Sequence, residues 1–221
     1  KHYNFTTHEG FNAGIWRNDN ATDNQAATDY DKKWIPGQWK VPEAYDNPAS
    51  NDPWYFSAIR EANYFLETVV PRFEKGEIEG SETNIKHYIG EMYFLRAKNY
   101  LSKLETFGDF PIIKNTLPDE SASLIQASKR DPRHKVARFI LEDLDLAIGL
   151  LTNTISGGKN RITKNAALLL KSRAALYEAS WLTYHKGTAL VPGGPGWPGK
   201  AEDIADFNID TEIAFFLKEA K

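Results

Sequence analysis

His87-Tyr88-Ile89-Gly90-Glu91-Met92-Tyr93-Phe94-Leu95-Arg96-Ala97-Lys98-Asn99-Tyr100-Leu101 is echoed downstream by Asn165-Ala166-Ala167-Leu168-Leu169-Leu170-Lys171-Ser172-Arg173-Ala174-Ala175-Leu176-Tyr177-Glu178. Arg96-Ala97 and Tyr100 match Arg173-Ala174 and Tyr177 in the same spacing. Apolar residues recur in both at the period of an amphipathic helix, with small residues set among aromatics. Such helices pack closely on a neighbour, and a repeated one marks a helical-repeat scaffold. The expected fold is therefore all-α, a helical-repeat scaffold with long irregular, aromatic-rich loops.

The pattern extends outward from these two helices. Ser81 and Asn84, with Glu82 in the first turn, start a helix that runs to about Phe107. Gly108 ends it in the left-handed conformation, and Asp109-Phe110-Pro111-Ile112-Ile113 leaves extended. Upstream, Asp52 is the expected N-cap and Pro53 the first residue of a helix striped by Ile59, Ala62, Asn63, Leu66 and Val70. Pro71 and the Gly76/Gly80 region close it. Residues 114–130 form a connection with helical tendency at Leu124-Ile125. Asp131-Pro132 caps a third helix, which reaches about Leu151. Thr163 caps a fourth, from Asn165 to about Tyr184. The run Pro192-Gly193-Gly194-Pro195-Gly196-Trp197-Pro198-Gly199 is a loop, and Asp210 restarts a helix. The expectation is one domain over 1–221. An irregular segment covers 1–52, a scaffold of four long helices, antiparallel in pairs, covers 53–185, and a loop covers 187–208.

Composition narrows function more than it defines it. A net charge of -3 gives no attraction to nucleic acid or to an anionic membrane surface. The absence of Cys removes thiolate chemistry and thiolate metal sites. His2, His8, His87, His134 and His185 lack metal-ligand spacing, and no HExxH, GxxxxGK[ST] or GxGxxG occurs. No cofactor or metal is expected, although Asp19, Asp23, Asp29 and Asp31 offer oxygen ligands without EF-hand spacing. Glu91, Glu105, Glu142, Asp143 and Asp145 read as solvated faces of regular helices. They are not read as a hydrolase pair, which needs carboxylates about 5–9 Å apart across a cleft. The chain opens without an initiator Met and stops in helical sequence, which suggests a piece of something longer.

Four stretches, in order, resemble one known family. They are Trp54-Tyr55-Phe56-Ser57-Ala58-Ile59-Arg60-Glu61-Ala62-Asn63-Tyr64-Phe65-Leu66-Glu67, then Gly90-Glu91-Met92-Tyr93-Phe94-Leu95-Arg96-Ala97, then Phe107-Gly108-Asp109-Phe110-Pro111-Ile112-Ile113. The fourth is Arg161-Ile162-Thr163-Lys164-Asn165-Ala166-Ala167, running into Lys171-Ser172-Arg173-Ala174-Ala175-Leu176-Tyr177. Together, over about 50–185, they look like the SusD/RagB family of nutrient-binding outer-membrane lipoproteins of Bacteroidetes. The resemblance implies tetratricopeptide-like helix pairs, a surface lipid anchor outside this chain, and a TonB-dependent (SusC-like) transporter as partner. It implies non-catalytic delivery of an oligo- or polysaccharide, or in some members a peptide. A purely structural protein-interaction module is the alternative; a hydrolase fragment is a remote one.

Trp16, Trp34 and Trp39 are the leading ligand-binding candidates, because sugar rings stack on flat aromatics. Arg17 and Asn18, beside Trp16, supply polar partners for hydroxyls. In the family the resemblance points to, the loop before the first long helix contributes to glycan binding. The competing reading makes these Trp staples of the loop on the scaffold. Trp197 is a secondary candidate, for ligand or for a partner protein. Arg96 and Arg173 are assigned packing roles, with pairing to acids such as Glu61 or Glu91. Gly108 and Pro111 are assigned to helix termination, and Asp109 to capping nearby amides.

Overall fold

A computed structural model of the chain describes residues 54–154 and 160–221, together with Ala21–Thr22, Gln25–Ala26 and Ile35. The chain forms two units, Lys1–Pro48 and Ala49–Lys221. In the first, β1 (Ala21–Thr22) and β2 (Gln25–Ala26) pair antiparallel, with Ala21 opposite Ala26. The second is helical. It comprises α1 (Ser57–Glu74), α2 (Glu82–Phe107), α3 (Ser121–Ala127), α4 (Arg133–Leu150), α5 (Lys164–Tyr184) and α6 (Ile209–Glu219), with a 3-10 turn at Ala201–Ile204. The described residues of this second unit form the all-α repeat scaffold expected from the sequence.

Local chemistry sets several helix ends. The Ser81 hydroxyl accepts from the Asn84 amide, and the Thr163 hydroxyl accepts from the Ala166 amide. Each satisfies one of the donors left free in a first turn. Gly108 stands at φ 71°, and its N–H donates to the Leu104 carbonyl at 3.0 Å. A side chain there would be strained, so the glycine is what lets α2 stop.

Three boundaries depart from expectation. Asp52 and Pro53 lie outside the described residues, and α1 begins at Ser57. The cause is tertiary. Trp54 packs edge-on to Phe107 and Phe110, each at 4.9 Å, and Phe56 stacks on Phe110 at 5.0 Å. That aromatic cluster holds 54–56 out of the helix. Pro71 does not close α1, which continues to Glu74 and stops just before Gly76, at φ 71°, in the Gly76/Gly80 region expected to close it. The ring sits in the final turns, exposed, where losing one donor is tolerable. Asp131 is not the cap of α4 either. Its carboxylate accepts from the Ile112 amide, while Asp109 Oδ1 accepts from the Arg133 amide at 2.8 Å. Asp109 thus does cap a neighbouring amide, from across the Phe110–Asp131 bridge.

Consecutive long helices run antiparallel. Along the α2/α4 seam Gly90 lies against Leu150 and Leu151, Arg96 meets Asp143, Tyr100 meets Phe139, and Gly108 meets Arg133. The same helices bury Leu104, Val136, Ile140 and Leu144. Gly90 is needed for the close approach: a Cβ there would sit 3.0 Å from Leu150 Cβ. Lys186–Asp210 and Lys171–Glu219 pin α5 antiparallel to α6.

Arg96 ties this stack together. Its Nε and Nη2 donate to the two Asp143 oxygens at 2.7 and 2.8 Å, and its Nη1 donates to Asn63 Oδ1 and the Lys114 carbonyl. The acid beside it is therefore Asp143, and neither Glu61 nor Glu91. Asp143 is 1% exposed, so it is no solvated face. Burial pushes its carboxyl up, and Arg96 pulls it back toward the charged form. Glu91 is buried too, paired with Arg161 and accepting from the Ile162 amide at 3.1 Å. Glu105, Glu142 and Asp145 are exposed, as expected of solvated faces. Arg173, the sequence counterpart of Arg96, is exposed as well. The shared motif gives α2 and α5 similar small-residue faces. It does not give them the same buried charge.

Asp143→Ala leaves the Arg96 guanidinium buried without its carboxylate, and should cost about 3–5 kcal/mol of unfolding free energy. Replacing both residues by apolar ones, Arg96→Met with Asp143→Leu, should cost less than that single change; urea denaturation of the three proteins checks both statements.

His134 supplies a pH dependence. Its ring lies 4.5 Å from Phe207, and its Nδ1 has no partner among the described residues. Burial, then Lys135 and Arg138, lower its pKa from 6.5 to about 4. Above pH 6.5 the ring is neutral whether the chain is folded or unfolded. Below it the unfolded chain takes up a proton that the folded ring accepts only near pH 4, so stability falls across that window. The loss should reach at most about 3 kcal/mol, and His134→Phe should flatten it in denaturation curves between those two pH values.

Candidate functional site

Trp16, Arg17, Asn18, Trp34 and Trp39 lie outside the described residues, as do the acidic positions 19, 23, 29 and 31. Ile35, between Trp34 and Trp39, is 40% exposed. Among the described residues no group of three His, Asp or Glu side chains is placed to hold a metal. No described helix is long and apolar enough to cross a membrane.

Trp197 lies among the described residues. It belongs to the Gly/Pro loop that follows α5. Its indole N–H donates to Asp109 Oδ2 at 2.8 Å. One carboxylate therefore caps α4 with one oxygen and anchors the loop with the other. The loop needs its glycines to do this. A Cβ on Gly199 would fall 2.2 Å from two Trp197 ring carbons, and one on Gly194 would fall 1.8 Å from the Thr188 carbonyl oxygen.

Beneath this loop lies a buried charge pair. Arg133, at the first position of α4, donates from Nε and Nη2 to the Glu178 carboxylate of α5, at 3.0 and 2.8 Å to its two oxygens. Both side chains are almost fully buried. The Arg133 guanidinium also sits 4.2 Å over the Trp181 ring, whose N–H donates to the Leu190 carbonyl at 3.0 Å. Burial pushes the Glu178 carboxyl up, partly offset by Arg133.

The α2 C-terminus, the Asp109 turn, the start of α4 and the Trp197 loop enclose a cleft of about 330 Å³. Its polar rim includes Glu105, Thr106 and Arg130, and its apolar wall includes Trp181, Leu190 and Trp197. A second pocket, about 270 Å³, lies between the start of α1 and α3. It is mainly apolar, lined by Trp54, Phe56, Ile59 and Leu124. Its Asn63 is already engaged by the Ile113 and Asn115 carbonyls and by Arg96.

Gly108 ends α2 at a positive φ, and Pro111 is buried directly after the bridge residue Phe110. Arg133, Glu178 and Trp181 carry no sequence signal of their own. Their partners stand 45 residues apart in one case and 9 in the other, and only packing brings them together.

Comparison with known proteins fixes the family. The SusD-like model described as "Starch-binding associating with outer membrane" matches residues 4–176. SusD-like protein P2 of Formosa agariphila is 29% identical over 167 residues, 75% of this chain and 28% of that protein. A SusD-like protein from Bacteroides fragilis, solved by crystallography, is 30% identical over 56% of this chain and 22% of its own, with a TM-score of 0.47. A laminarin-binding SusD-like protein is 24% identical over 61% of this chain and 28% of its own, with a TM-score of 0.45. The chain belongs to the SusD-like family, whose members are non-catalytic binding proteins associated with the outer membrane. It spans about a quarter of the length of the relatives it matches.

Asp109→Ala removes both a helix cap and the Trp197 anchor. It should destabilise the protein by about 1–2 kcal/mol, and raise Trp197 accessibility to acrylamide quenching.

Proposed function

We propose that the intact protein is a surface-exposed outer-membrane lipoprotein that binds an oligo- or polysaccharide without cleaving it and passes it to a TonB-dependent, SusC-like transporter. The observation that carries the reading is the family match over residues 4–176, which takes in the whole N-terminal tryptophan segment. The scaffold helices supply tetratricopeptide-like pairs, and the aromatic-rich segment before them supplies the ligand surface. Trp16, Trp34 and Trp39 act as stacking platforms, with Arg17 and Asn18 as hydroxyl partners. Ile35, beside Trp34, is exposed; in this reading a turn presents Trp34 and Trp39 to one ligand.

The test is a glycan array followed by calorimetry on the full-length protein. Trp34→Ala or Trp39→Ala should weaken glycan binding and leave the melting temperature nearly unchanged. Emptying a core aromatic site instead would cost about 3–5 kcal/mol. A large fall in melting temperature with unchanged affinity would make these Trp staples, and binding of peptides with no glycan would refute the substrate class.

A further inference from the structure

The Trp197 cleft is built more firmly than a surface irregularity requires. Both indole N–H groups are already satisfied, by Asp109 and by the Leu190 carbonyl. The rings are therefore fixed in place: Trp181 is packed by Arg133 and by His185, whose ring lies 4.3 Å away, and Trp197 offers carbon surface to the cleft. Gly199 lies against the Trp197 indole with no room for a Cβ, so the loop is shaped around that ring. The Arg133–Glu178 pair, with Arg133 over Trp181, makes the floor rigid. On the rim, Glu105, Thr106 and Arg130 are exposed, and Arg130 is steadied 4.9 Å over the Trp54 ring.

The chemistry of such a wall selects its ligand. Fixed aromatic surface suits the C–H face of a pyranose, while a carboxylate and a guanidinium on the rim suit its hydroxyls as acceptor and donor. Glu105 and Asp109 balance Arg130 and Arg133 around the cleft, so its lining carries no net positive charge to select a phosphate. The volume of about 330 Å³ stands at the low end of small-molecule sites, which run from roughly 300 to 1,000 Å³. A concavity of this size holds a sugar unit, whereas a protein partner needs roughly 800 Å² of surface on each side.

We propose that this cleft is a carbohydrate site in its own right, taking one or two pyranose units, with Trp197 as the stacking face, Trp181 behind it as part of the apolar wall, and Glu105 and Arg130 as hydroxyl partners. The carbohydrate class rests on the glycan-binding reading above. The assignment of a self-sufficient site here does not depend on the N-terminal tryptophans.

Indole ¹⁵N–¹H spectra of the full-length protein separate the possibilities, with signals assigned through single Trp→Phe variants. The probes are maltoheptaose, laminarihexaose and a xyloglucan oligosaccharide. At least one should shift the Trp181 and Trp197 signals, both in the wild type and in Trp34→Ala/Trp39→Ala. Glu105→Ala, an exposed change, should weaken that titration roughly tenfold with no change in melting temperature. Shifts confined to the other indoles would overturn the second site and leave the glycan reading standing. No shift at any indole with any probe would overturn both. A Trp197 shift produced by the transporter and by none of the sugars would make this a partner surface and overturn the proposal.

Discussion

A single buried guanidinium governs how this scaffold is assembled. Arg96 sits in the middle of α2 and bonds to α1 through Asn63, to the connector through the Lys114 carbonyl, and to α4 through Asp143. A buried ion pair contributes little net stability, because desolvation offsets the attraction. It does penalise every packing in which the charge loses its partners. Sliding α2 by one turn along α4 would strand both charges in an apolar seam. Tyr100, one turn on, accepts from the Ile113 amide at 2.8 Å and fixes the connector in the same register. From that register follow the Phe110–Asp131 bridge, the reach of Asp109 to the start of α4, and the position of the Trp197 loop.

The parts of this arrangement that are local are legible in the sequence. Ser81, Thr163 and Gly108 act within four residues of themselves, so residue type alone identifies them. Four long helices follow from periodicity for the same reason. The parts that depend on which helix lies next door are not legible. Arg96 has acidic residues nearby in sequence, yet its partner is 47 residues away. Arg96 and Arg173 share a motif, and one is buried while the other faces solvent, because α2 is enclosed by α1 and α4 while the matching face of α5 is not. The start of α1 is displaced for a related reason: Asp52-Pro53 is a good local signal, and the Trp54 cluster overrides it.

The candidate site divides along the same line. Trp197 stands out in its Gly/Pro loop from composition alone. That Asp109 holds it, and that Trp181, Arg133 and Glu178 lie behind it, needs the packed helices. Glu105 reads as an ordinary solvated acid at the end of a helix. Its place on the rim of a cleft emerges only when the loop folds back over α2. The N-terminal tryptophans are the reverse case, conspicuous in sequence and outside the described residues.

The charge pairs that register successive helices differ in their contact with water. Arg96–Asp143 and Arg133–Glu178 are nearly sealed, whereas Arg138 of the Arg138–Glu212 pair is 37% exposed and Lys171–Glu219 is partly open. Dissolved ions screen only charges that they can approach, over a Debye length of about 8 Å at physiological strength. Ionic strength therefore acts unevenly along the stack. It loosens the attachment of α6 to α4 and α5 and leaves the α2/α4 seam untouched, so brine and fresh water meet the same seam with a differently tethered α6.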